Sequence, residues 1–279
     1  MTNFIPIPTI NLFPELDDLL IDLLRSLSLS DWEKTTIVPS WTIKDIAVHL
    51  LDGNVRTLSI LRDQYMGDKP DNINSYQDLV AYLDKLNADW VKAMKRVSPA
   101  ILIELLASTG QQYYEYLSRL EAFEKATFSV AWAGEQESYN WFHIAREFTE
   151  KWHHQQQIRL ALGQEQALYT QHLYYPYLAT SMQALPFHYR NVQANEGELI
   201  VFTVTGKGGG NWLLSYNDTA WKLVENSYLQ ESCKVIIPED IAWRIFTKGI
   251  KKEEALQKAT ITGNIHLGDK IFEMLAIMG

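Results

Sequence analysis

His143, Glu147, Glu150 and His154 follow one another at spacings of 4, 3 and 4 residues. Each helical residue turns by about 100°, so these four side chains fall within roughly 60° of arc and face one way. Imidazoles and carboxylates sharing a face suit acid–base or divalent-metal chemistry. Glu150 and His154 stand i, i+4, with Cβ atoms about 6 Å apart, a workable bidentate metal motif. His153 lies about 100° round the helix from His154, which assigns only His154 to the cluster. A third ligand is available in His49, set among Ile46, Ala47, Val48 and Leu50 in a stretch apolar enough to be buried. The plainer alternatives are a solvated polar helix face and a buried structural histidine.

Other chemistry-bearing residues carry weaker patterns. The run Gly206-Lys207-Gly208-Gly209-Gly210 reads as a hairpin turn, since no helix follows it and its spacing matches no phosphate-binding loop. Cys233 sits beside Val235 and Ile237 in a strand-like run, where an inert packed thiol is expected. Arg244, the only arginine beyond residue 190, fits either a surface salt bridge or an anion-binding role.

The elements that would position these residues are mostly helical at first. Leu16, Leu19, Leu20, Leu23, Leu24 and Leu27 recur at helical steps and predict a helix over 13–27. Thr42 and Asp45 form a capping box that opens a helix over 43–65. Helices follow over 76–97 and 99–123. A loop spans 127–136, and a long helix covers 139–162, capped by Ser138 and stopped by Gly163. A further helical stretch over 171–188 is interrupted near Pro176. Beyond it the period shortens to strands over 199–205, 212–216, 220–225, 232–237 and 259–262, with helices over 238–248 and 269–277. The predicted fold class is two-domain α+β: a helical domain over 1–165, a connecting helical segment over 166–195 and an α+β domain over 196–279.

A chain of 279 residues with 47% hydrophobic and 21% charged residues supports two packed cores and excludes disorder as the main state. A net charge of −9 repels phosphate backbones and anionic lipid, so neither nucleic acid nor membrane is an expected partner. A single cysteine, no basic residue before Arg25 and no long apolar run lead to a cytoplasmic expectation.

The segment Trp41-Thr42-Ile43-Lys44-Asp45-Ile46-Ala47-Val48-His49-Leu50 resembles the W-[TS]-x-x-D-x-x-x-H-L signature of the DinB-like superfamily, in its branch of mycothiol-dependent maleylpyruvate isomerases. Val130-Ala131-Trp132-Ala133-Gly134-Glu135 and the run from Ile144 to Arg159 resemble that branch's last bundle helix and its approach. Ala220-Trp221-Lys222-Leu223 and Ile241-Ala242-Trp243-Arg244-Ile245-Phe246 are similar to the sterol-carrier-protein-2-like (SCP2-like) domain that follows the bundle. The resemblance implies an N-terminal DinB-like four-helix bundle and a C-terminal SCP2-like α/β domain. It also implies a divalent metal, usually zinc, held by His49, Glu150 and His154. Three protein ligands leave a fourth position open, which the resemblance fills with a low-molecular-weight, mycothiol-like thiol. The expected activity is isomerisation or S-transfer on a small electrophile, with Glu147 as hydrogen-bond partner or proton acceptor and Arg244 holding a carboxylate. The competing expectations are a metal-dependent hydrolase with Glu147 as base, and a non-catalytic metal or small-molecule binding protein.

Overall fold

The computed structural model describes residues 6–70 and 72–277. Helix α1 (Phe13–Ser26) buries Phe13, Leu16, Leu20, Leu23 and Leu24, the face that steps of three and four repeat. A short α2 (Leu29–Trp32) leads into α3 (Ile43–Thr57). The predicted capping box is formed: the Thr42 hydroxyl accepts from the Asp45 N–H at 3.3 Å, and the Asp45 carboxylate accepts from the Thr42 N–H at 3.1 Å. The α-helix stops earlier than 65, because the chain widens into a π-helical turn over Leu58–Arg62. Then come α4 (Tyr76–Met94), α5 (Pro99–Leu117) and α6 (Asn140–Leu162).

Two boundaries differ from expectation for one reason. The segment after α5 does not continue as helix to 123, because the Ala122 and Glu124 carbonyls accept from the first two N–H groups of α6, Trp141 and Asn140, at 2.9 Å each. Those donors have no partner inside their own helix. Ser138 therefore does not cap α6; its hydroxyl accepts from the Val130 N–H at 2.8 Å instead, and Tyr139 takes the cap position. The other end matches the sequence reading, with Gly163 in the left-handed region at φ 68°.

Helices α1 and α3 each pack against both α5 and α6, making a four-helix bundle, and α4 lies on the outside of α3. The Trp90 indole N–H donates to the Val48 carbonyl at 3.0 Å and pins α4 there.

The connecting segment forms α7 (Tyr174–Met182) and α8 (Leu185–Tyr189). Pro176 does not interrupt α7, because it lies in the first turn, where a missing N–H costs nothing; the break falls at Gln183 and Ala184. The remaining chain builds β1 (Leu199–Val204), β2 (Gly210–Asn217), β3 (Ala220–Val224), β4 (Cys233–Ile237), α9 (Glu239–Phe246), α10 (Lys252–Lys258), β5 (Thr260–Gly263) and α11 (Ile265–Gly268). The sheet order is β3-β2-β1-β4-β5, antiparallel except for the parallel pair β1 and β4. The predicted helix over 269–277 is a 3₁₀ turn over Asp269–Glu273, and α10 has no counterpart in the sequence reading. The glycine run is a hairpin turn pressed onto α7: a Cβ at Gly208 would lie 2.7 Å from the Tyr174 Cβ. Among the described residues no helix is long and apolar enough to cross a membrane.

The two domains share a core. Trp152 of α6 stacks on Tyr174 and Tyr177 of α7, with ring centroids 4.7 and 4.3 Å away, and meets Trp243 of α9 edge-on at 6.3 Å. All four rings are fully buried.

On the bundle side Lys151 donates to both oxygens of Asp17, at 2.8 and 3.0 Å. Gly110 of α5 makes room for that pair, since a Cβ there would lie 2.8 Å from Asp17 Oδ2. Helix propensity favours Gly→Ala by about 1 kcal/mol, yet Gly110→Ala is expected to lower stability by about 1–3 kcal/mol through overpacking. A denaturation midpoint equal to or above that of the unchanged protein would refute this.

Candidate metal centre

Helix α6 is buried on almost every side, so its polar side chains must find partners inside the protein. The four residues predicted to converge separate into two neighbouring groups. In the first, one guanidinium nitrogen of Arg146 donates to His143 Nδ1 at 2.7 Å and to Glu147 Oε1 at 2.6 Å. The Tyr113 hydroxyl of α5 donates to the other oxygen of Glu147. Both oxygens of Glu147 are thus engaged.

The second group contains the possible ligands. One donor atom each from Glu150, His153 and His154 lie within 4.8 Å of one another. His154 Nδ1 donates to Gln157 Oε1 at 2.8 Å, which leaves the lone pair on Nε2, 3.6 Å from Glu150 Oε2. His49 of α3 lies outside the 4.8 Å group but meets it through His154, the two rings standing edge-on with centroids 4.5 Å apart. Trp41 flanks the His49 ring at 5.2 Å. The separation of His153 from His154 expected on angular grounds does not hold: their rings lie 4.0 Å apart. The His153 ring folds back along the helix so that Nδ1 donates to the Thr149 carbonyl at 2.8 Å, drawing it towards Glu150.

Burial, joined by neighbouring imidazoles, holds His49 and His154 well below the usual imidazole range. Burial likewise brings His153 and His143 down to about 4. All four are therefore neutral at pH 7, the form that carries a lone pair. Glu150 is pushed up to about 7, first by burial and then by the charge of Glu147, although with 32% of its side chain exposed solvent tempers that push. Burial also opposes ionisation of Glu147, but Arg146, His143 and Tyr113 outweigh it and hold the carboxyl below its ordinary value.

These residues fit a divalent cation. Glu150 is paired with no lysine or arginine among the described residues, only with the neutral His154, and His49 Nδ1 is buried without a hydrogen-bond partner. A buried unpaired nitrogen costs about 1–3 kcal/mol, and a cation would give both groups a partner. Imidazole nitrogen with carboxylate oxygen is a donor set suited to zinc.

The sequence reading sets His153 outside the cluster and does not single out Arg146, Tyr113, Gln157 or the Asp52–Arg56 pair of α3, which closes at 2.9 Å. Gln157 and Arg56 carried a usable signal, standing three residues after His154 and seven after His49, on the same helix faces. Tyr113 carried none, because its contact depends on how α5 packs. Arg244 is half-buried and donates through Nε to the Gly249 carbonyl at 3.1 Å; a Cβ at Gly249 would lie 3.3 Å from Ile37, in the loop before α3. Cys233 is buried in the sheet, and burial raises its thiol to about 11.

Residues 13–159 match the family model of the mycothiol maleylpyruvate isomerase N-terminal domain. The chain belongs to that family. Among solved structures it is similar to a histidine-to-alanine mutant of the mycothiol-dependent maleylpyruvate isomerase, with TM-score 0.54 and 10% identity, covering 94% of this chain and 95% of that one. A second crystal structure of an isomerase of that name gives TM-score 0.52 at 10% identity, covering 86% and 88%. At this identity the likeness is one of fold, and it extends over both domains. No curated protein matches the sequence. The two-domain α+β architecture and the family expected from the sequence are thus the ones observed.

With its thiol neutral below about 11 and packed away, Cys233 is expected to resist alkylation in the native protein at pH 8 and to react fully once unfolded. Rapid stoichiometric labelling of the folded chain would show the site to be open.

Proposed function

We propose that this protein is a divalent-metal-dependent isomerase or S-transferase that uses a small thiol, mycothiol or a relative, to act on a small electrophile. His49, Glu150 and His154 hold the metal, zinc by donor type. The observation that carries this reading is Glu150, without a lysine or arginine partner among the described residues, within 3.6 Å of His154 Nε2 and with the His49 ring 4.5 Å from that of His154, in a chain of this family. Bound there, zinc supplies positive charge that lowers a thiol's pKa from about 8.5 and yields a thiolate at neutral pH.

The protein's own residues set up the rest. Gln157 fixes the tautomer of His154. Asp52 with Arg56 and Glu147 with Arg146 form two ion pairs of no net charge. That leaves Glu150 as the single uncompensated anion of the site. One divalent ion against one carboxylate leaves a charge of +1, which favours an anionic ligand such as a thiolate over water. Glu147 serves in this reading as a fixed anion that orients Arg146, not as a free base. A hydrolase would need Glu147 free to accept a proton from water, and both its oxygens are occupied. Arg244 is assigned to a carboxylate of substrate or thiol, supported by its place beside the loop that leads to α3.

Purified protein is expected to hold about one divalent ion per chain by elemental analysis, and His49→Ala or His154→Ala to abolish it. Turnover of an electrophile should stop when either metal or thiol is removed. It should also rise with pH to a midpoint below the free thiol's pKa of about 8.5, because the reactive form is deprotonated. Undiminished turnover without thiol would sink the reading.

Glu147→Gln should keep most of the metal and lower the rate, since the amide can still accept from Tyr113 but no longer balances Arg146. Collapse of metal stoichiometry in this variant would make Glu147 a ligand.

A further inference from the structure

His153 is the one imidazole at the site that the reading above leaves without a task. It is 2% exposed, and its only hydrogen bond among the described residues runs from Nδ1 to the Thr149 carbonyl. A proton on Nδ1 leaves the lone pair on Nε2. Backbone-bonded Nδ1 with Nε2 free is the arrangement that metal-bound histidines adopt. In the sequence Glu150-Lys151-Trp152-His153-His154 the carboxylate stands i, i+3 to one histidine and i, i+4 to the next, so both are its helix neighbours. The angular separation of adjacent residues keeps their Cβ atoms apart but not their ring nitrogens, and the ligand atoms of all three come within 4.8 Å.

We propose that His153 is a fourth protein ligand of the metal, joining His49, Glu150 and His154; the proposal rests on the metal reading of this site. Three imidazoles and one carboxylate complete a tetrahedral set. With a metal held by these four residues, His153 would close the site to water, and it would give way to a thiolate whose proton had passed to solvent. Closure gives the site a means of favouring thiol over water, because a neutral imidazole yields more readily to a thiolate than to a weaker neutral ligand.

The test uses the whole protein labelled with ¹⁵N-histidine, in metal-free and zinc-loaded form. Long-range ¹H–¹⁵N correlations report, for each of the seven histidines, which ring nitrogen carries a proton and which binds metal. Three zinc-shifted imidazoles, with the His153 signal identified by its loss in His153→Gln, would support the proposal. Two, from His49 and His154 alone, would overturn it while leaving the three-ligand reading intact. No zinc-induced shift at any of them would overturn both.

Chelator competition gives an independent readout. Loss of an outer partner lowers metal affinity by about 10–100-fold; His153→Gln should lower it by more than about 100-fold, with the metal-free variant's circular dichroism unchanged. A loss of about 100-fold or less would overturn the proposal; adding mycothiol to zinc-loaded protein should return the His153 signal to its metal-free position, and a His153 signal left zinc-shifted at saturating mycothiol would overturn the exchange.

Discussion

Helix α6 takes charged side chains into the interior, and the bundle is arranged to give each of them a partner. An uncompensated buried charge costs several kcal/mol. Lys151 is therefore met by Asp17 of α1, and Arg159 by the Leu19 carbonyl of the same helix at 3.1 Å. Glu147 is met by Arg146 and by Tyr113 of α5. The packing of α1 and α5 on α6 is thus set by charge as well as by apolar contact. Among the described residues Glu150 has no lysine or arginine partner and His49 Nδ1 is one of the buried atoms left without a hydrogen bond, and these are donor types a metal uses.

What could be read from the sequence divides along the same line. The leucine face of α1, the Thr42 and Asp45 box and the left-handed Gly163 depend on neighbours within about one turn, so local spacing revealed them. The approach of Glu150 to His154 was legible for the same reason, and His49 drew notice because an imidazole in an apolar stretch stands out. Features fixed by distant groups were not legible. The end of α5 at Leu117 depends on α6 needing the Ala122 and Glu124 carbonyls. The position of His153 depends on how its ring folds against Thr149, which an angular projection of Cβ atoms does not contain. The division of one expected cluster into two follows from Tyr113, which only tertiary packing delivers.

Both halves of the molecule meet on the same helix. The face of α6 that carries Glu150 and His154 turns to α3, while Trp152 points into the aromatic group of Tyr174, Tyr177 and Trp243. The Tyr174 hydroxyl donates to the Glu239 carbonyl at 2.7 Å and the Trp243 indole to the Tyr169 hydroxyl at 3.0 Å, which ties this group to the backbone and side chains around it. The C-terminal domain is therefore coupled to α6 through rigid rings, not through a linker, and a shift of α9 is transmitted to the turn that bears Glu150 and His154.

The placement of Trp243 sets the order in which the site can mature on the ribosome. The residues of the bundle leave the exit tunnel first, yet one side of Trp152 stays uncovered until α9, far later in the chain, has been made and the parallel pair β1 and β4 has closed. Such non-local pairing is slow. During synthesis the back of α6 therefore stays uncovered until α9 has been made and packed against Trp152.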